Sequence, residues 1–175
     1  SGDFTAKNTT LKTKSTIGEV SFTMDGIPYL SRIKGLADAT VDVDMDKIKL
    51  TFVESNIQLN DVKASLDGTF SFVGDDGKDF DLKLKAPDTQ FKDILSILPA
   101  LYTNDFKDLK TSGTASLEGY VKGLMQGDHY PAFDFKILIQ DAMFKYPSLP
   151  KSVDNINVIM GVSSTGGDLD NVVLD

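Results

Sequence analysis

Three groups of residues have the types and spacing to do chemistry. The first is acidic. Asp42, Asp44 and Asp46 alternate along one stretch, which on a strand puts neighbouring carboxylates about 7 Å apart. Asp75, Asp76, Asp79 and Asp81 straddle a turn, and Asp168 and Asp170 follow Gly166-Gly167. Carboxylates so placed could hold calcium. None of these stretches, however, has the full ligand spacing and closing Glu of an EF-hand loop, or the further glycines of a calcium β-roll. A solvated polar face explains them better, because exposed carboxylates carry no desolvation cost. The second group is His129, alone in Gln126-Gly127-Asp128-His129-Tyr130-Pro131, a loop by composition. A triad with Ser and Asp is arithmetically possible, but no Gly-x-Ser-x-Gly elbow accompanies it. No catalytic role is expected for the chain, and no cofactor and no metal. The third group is apolar. Val41, Val43, Met45, Leu66, Phe70, Phe72, Leu82 and Leu84 recur at every second position, the spacing that lines one side of a sheet. Such a lining could hold the acyl chains of a lipid or form an ordinary core.

Composition narrows the field further. The 175 residues include no Cys, no Trp and one His, with a formal charge of −8. Disulfides, zinc–cysteine sites and cysteine nucleophiles are excluded. Eighteen basic residues face 26 acidic ones, and Arg32 is the only Arg, so nucleic acid is not expected as a partner. The longest apolar stretch, 94–102, is far short of the roughly 20 residues of a spanning helix. A start at Ser1-Gly2 and a last segment that reads as a strand stopping mid-pattern suggest a piece of a longer protein.

The elements that must position these residues are mostly strands. Ile17, Val20, Phe22 and Met24 precede an Asp25-Gly26 turn. Ala37 to Met45 alternates strictly with acidic and Thr positions, and Ile48, Leu50 and Phe52 resume after a turn at Asp46-Lys47. Val62 to Phe72 and Phe80 to Ala86 flank an Asp-Gly hairpin signal. Gly113, Ala115, Leu117, Gly119, Val121 and Gly123 form a small, glycine-rich face, suited to lie under a helix or against another backbone. Phe133 to Ile139 follows, with Ala142 and Phe144 after a register change near Asp141. A turn at Pro147–Pro150 leads to Ile156, Val158, Met160 and Val162. One segment breaks the period. Phe91, Ile94, Leu95, Leu98, Leu101 and Tyr102 fall at helical spacing, which predicts an amphipathic helix at about 89–102, capped by Asp88 or Thr89 and kinked or ended at Pro99. The expected architecture is mainly β: a single domain over 1–175, a curved antiparallel meander, groove or incomplete barrel with one helix.

Several blocks resemble a known family. They are Phe91–Tyr102, Phe106–Gly113, Leu117–Gly123, Asp141–Ile156 and Gly166–Asn171. Over roughly 90–175 they resemble the AsmA-like proteins of the Gram-negative cell envelope. The resemblance implies a long, membrane-anchored periplasmic parent protein, concerned with outer-membrane assembly and integrity. It also implies an elongated β-groove along which phospholipid passes between membranes. Implied partners are phospholipid or another acyl-chain lipid, neighbouring segments of the parent chain and other envelope proteins. The blocks carry no catalytic residues. The competing expectation is an extracytoplasmic β-sandwich that binds glycan or protein, with Tyr29, Tyr102, Tyr120, Tyr130 and Tyr146 as contact candidates.

Overall fold

The protein was analysed as a computed structural model that describes residues 7–24, 27–96, 109–148, 150–168 and 171–175. It is mainly β. Nine strands form one sheet in sequence order: β1 (Asn8–Met24), β2 (Ile27–Asp44), β3 (Lys49–Leu59), β4 (Val62–Val73), β5 (Gly77–Gln90), β6 (Lys110–Met125), β7 (Ala132–Lys145), β8 (Val153–Ser164) and β9 (Val172–Leu174). Every neighbouring pair is antiparallel. A meander of this kind follows from the sequence. Most of the period-two strands are joined by short turns rich in Gly, Asp and Asn, so each finds its predecessor as partner, while β5 and β6 are joined by the longer segment that carries α1.

The sheet is curved, and β1 does not pair with β9, so it is not a closed barrel. Among the described residues no second sheet packs against it. The curvature has a local cause. Register shifts fall on adjacent strands: between Ala86 and Thr89 on β5, between Ser112 and Thr114 on β6, and between Ile139 and Ala142 on β7. Gly113 sits at φ +100°, Asp141 at +48° and Asn155 at +57°. Each bulge puts extra backbone on one strand and bends it. The ladder bond displaced at Asp141 is replaced, since its N–H donates to Asn157 Oδ1 at 3.1 Å.

The single helix among the described residues, α1 (Phe91–Leu95), starts later than its apolar spacing predicts. Strand β5 continues through Thr89 and Gln90, because the bulge at 87–88 lets them pair with Ala115 and Thr114. Thr89 is therefore a buried strand residue, and Gln90 occupies the cap position without a side-chain cap bond. The rest of the expected helix, 97–102, lies outside the described residues, as do the side chains of Asp88 and Leu95.

Candidate functional site: an open apolar face

Register decides which side chains share a face. Val41 pairs with Phe52, Phe52 with Gly68, Gly68 with Leu82, Leu82 with Val121 and Val121 with Phe133. Beside this row run Val43, Leu50, Phe70, Phe80 and Gly123. On its other side run Leu66, Leu84, Gly119, Phe135 and Val162. The bulges keep the faces in phase. Phe52 and Ile57 are five residues apart, yet both pair with even-numbered positions of β4 because the register shifts between them. One continuous apolar face results.

This face is not a closed core. Nine hydrophobic residues are buried among those described, and four of them are alanines: Ala39, Ala86, Ala115 and Ala142. By contrast Leu50, Phe52, Leu66, Phe70, Phe80, Leu82, Leu84, Val121, Phe133 and Phe135 all stay partly exposed. Phe72 and Met160 are each 49% exposed. Large side chains shield one another sideways, as in the Phe70–Phe80 contact at 5.2 Å between ring centres and the edge-on Phe70–Phe72 contact at 5.0 Å. Their outer surfaces remain in water. Aromatic and aliphatic surface left open over so many strands is the signature of a binding surface, because scattered exposure is ordinary and contiguous exposure is not.

Among the described residues, cover exists at one end only. Ile94 of α1 packs on Val62, Ala86 and Ala115, with Ala64, Leu117 and Ile139 around them. Here the sheet presents small residues, so a helix can approach closely. Asn60 fastens the end of the helix. Its Nδ2 donates to the Ser96 carbonyl at 2.7 Å, and its Oδ1 accepts from the Lys34 N–H at 2.9 Å. A second apolar cluster, Ala39, Val41 and Val43 with Leu11, Leu50 and Phe52, lies between β1 and β3.

Six of the eight expected lining residues, Val41, Val43, Leu66, Phe70, Leu82 and Leu84, occupy this face within strands. Phe72 stands at its rim, opposite Lys78. Met45 belongs to the turn at 45–48, with 48% of its surface exposed, and its N–H prolongs the ladder to the Lys7 carbonyl. Val121, Phe133, Phe135, Ile137, Val158 and Val162 extend the same face through β8, and their alternation carries the same signal as that of β2 to β5.

The opposite face is polar. Lys14 meets Asp38 at 3.2 Å, Lys122 meets Asp81 at 3.5 Å, and Thr10 donates to Asp42 at 2.6 Å. Asp44 accepts from the N–H groups of Asp46 and Lys47 and so serves its turn. Asp76 accepts from Gln126, and Asp168 from Asn171. No group of three or more potential metal ligands gathers among the described residues. His129 is exposed in a tight backbone turn with Gln126. Arg32 grips Glu19 with two bonds of 3.2 Å, and this hydrogen bonding, helped by charge attraction, lowers the Glu19 carboxyl below the usual range. A hollow of about 730 Å³ crosses β1 to β4 among Lys14, Leu36, Asp38, Gln58, Lys63 and Pro87. Register places Lys14 with Asp38, and Leu36 with Gln58 and Lys63, on the polar side. Of the tyrosines, Tyr120 is 42% exposed opposite Asp134, and Tyr146 packs edge-on to Phe144. Tyr130 is half-buried, and Tyr102 and the side chain of Tyr29 lie outside the described residues.

No family model matches the chain, and neither does any curated protein or solved structure.

Proposed function

We propose that the open apolar face holds phospholipid acyl chains, and that the chain is a lipid-binding or lipid-conducting segment of an AsmA-like protein in the periplasm of a Gram-negative bacterium. The role is outer-membrane assembly, and it needs no catalysis. One observation carries the reading: large apolar side chains, interrupted by Gly68, Gly119 and Gly123, share a register-matched face from β2 to β8 and stay partly exposed. The resemblance of the sequence blocks over 90–175 supports the family and the compartment in this reading.

Size and energy fit the task. The stretch of β5 from Gly77 to Leu84, short of Ile94, runs for about 23 Å at roughly 3.3 Å per residue. That exceeds half of the roughly 30 Å hydrocarbon thickness of a bilayer, so one leaflet's acyl chain can lie along the strands. Each methylene withdrawn from water contributes about 0.8 kcal/mol. A lipid crossing an aqueous gap unaided would lose this for every carbon, and an apolar trough restores most of it. Head groups stay at the open side, so no polar group has to be buried. The acids and lysines of the other face keep the sheet soluble and discourage stacking on that side.

Native mass spectrometry of delipidated protein, after incubation with phosphatidylethanolamine vesicles, tests the proposal. Adducts at the phospholipid mass are expected. Their absence, together with no labelling by a phospholipid carrying a photoreactive acyl group, would sink it.

A further inference from the structure

The apolar face changes character along the strands. Toward the turns at 45–48 and 74–76 it is floored by Leu50, Phe70 and Phe80, which stay partly exposed with nothing above them among the described residues. Toward the other end the floor shrinks to Val62, Ala86 and Ala115, and Ile94 fills the space above them. Ala86 has 0% exposure, Ala115 2% and Ile94 itself 7%. Leu84, two residues from Ala86 on the same strand and face, is already partly exposed. The covered and uncovered parts of the face therefore meet within one step of the alternation. The Ile94 side chain lies on the very line an acyl chain would follow if it ran along β5 and β6.

We propose that α1 is a built-in stop, and that Ile94 sets how far an acyl chain can extend along the face. This inference rests on the lipid reading of that face and adds a length limit to it. A bound chain gains affinity with each methylene only while fresh apolar floor lies ahead of it. At Ile94 the floor is taken, and further carbons must turn out into water.

Asn60 makes the stop adjustable. Its amide is oriented by two backbone partners of opposite kind. Oδ1 faces the Lys34 N–H and Nδ2 faces the Ser96 carbonyl, so the orientation is fixed by chemistry. Asn60→Asp keeps the first bond and turns the second into an oxygen facing an oxygen. Asn60 has φ +51°, a conformation that Asn and Asp both tolerate. The substitution thus loosens the end of α1 and leaves the apolar residues unchanged.

The test is a chain-length series. Lysophosphatidylcholines of about 10 to 18 carbons are titrated below their micellar concentrations into the wild type, Ile94→Ala and Asn60→Asp. Wild-type affinity should rise about fourfold per methylene and then level off. Ile94→Ala removes three side-chain carbons, so its levelling point should move out by about three methylenes, and Asn60→Asp should move it in the same direction. Both levelling points staying at the wild-type length, in folded variants, would overturn the stop and leave the lipid-binding face standing. If Ile94→Ala fails to fold, Asn60→Asp alone decides. No binding by the wild type at any length would instead overturn the lipid reading, and the stop with it.

Discussion

Substituting lysine at two neighbouring positions of β5 separates an open face from a closed core. Leu84 and Ala86 point to the same side of the same strand. Ala86 is fully buried beneath Ile94, whereas Leu84 is only partly buried on the uncovered stretch. At position 84 a lysine stem can lie along Leu66 and Val121 while its ammonium reaches water. The cost is the partial burial of the leucine it replaces, about 1 to 2 kcal/mol. At position 86 neither space nor water exists. Lysine there must either bury an unpaired charge or expel α1, at a cost of more than about 4 kcal/mol. That is a large share of the roughly 5–15 kcal/mol that holds a domain together. Urea unfolding monitored by circular dichroism reads both. Leu84→Lys should give a modest fall in midpoint at unchanged slope, and Ala86→Lys a protein largely unfolded in buffer. Equal and severe losses at both positions would mean that Leu84 is as enclosed as Ala86, and the open face would be refuted. The same Leu84→Lys protein should lose at least about tenfold in phospholipid affinity, because a charge then stands in the acyl path.

Three further outcomes follow from local geometry. Gly68 holds φ +119°, and a Cβ there would collide with the Asp81 carbonyl oxygen. Gly68→Ala should therefore cost about 1–3 kcal/mol, seen as a fall of several degrees in melting temperature. Ile48 is β-branched, 58% exposed and held at φ +47° in the turn before β3, so Ile48→Asn should stabilise by roughly 1 kcal/mol, measured by the same unfolding curves. The Glu19 carboxyl, lowered by its bond to Arg32, should titrate below an ordinary glutamate when followed by carbon NMR. The folded-state value is the depressed one, so its small stabilising effect is present above the unfolded-state pKa and disappears as pH falls through the folded one. Arg32→Gln should return the titration to the ordinary range.

The strands were legible because period two survives in almost every segment, and short Gly- and Asp-containing turns leave little choice of partner. Even the bulge at Asp141 shows in the sequence, where the alternation ending at Ile139 resumes out of phase at Ala142. The helix was legible in kind but not in where it starts. Asp88 and Thr89 look like helix caps, yet the bulge at 87–88 returns Thr89 to the ladder opposite Ala115. A tertiary pairing overrides the local capping preference. At Met45 the alternation runs on into residues that the chain uses to turn. What the sequence could not reveal is whether the apolar side is covered. A sheet in a sandwich and an open sheet show the same alternation, and the difference lies in what packs above it. Here that is Ile94 at one end, and no second sheet among the described residues.

The central claim is that acyl chains lie on the apolar face and nowhere else. It is tested most directly by methyl NMR with a phospholipid carrying a nitroxide near the end of one acyl chain. The account predicts strong broadening of Leu66, Leu82, Leu84 and Val121. It predicts little at Leu36 and Ile159, which are more exposed, at 49% and 66%, but stand on the polar side of the register. Equal broadening on both sides, or broadening confined to Leu36 and Ile159, would contradict it.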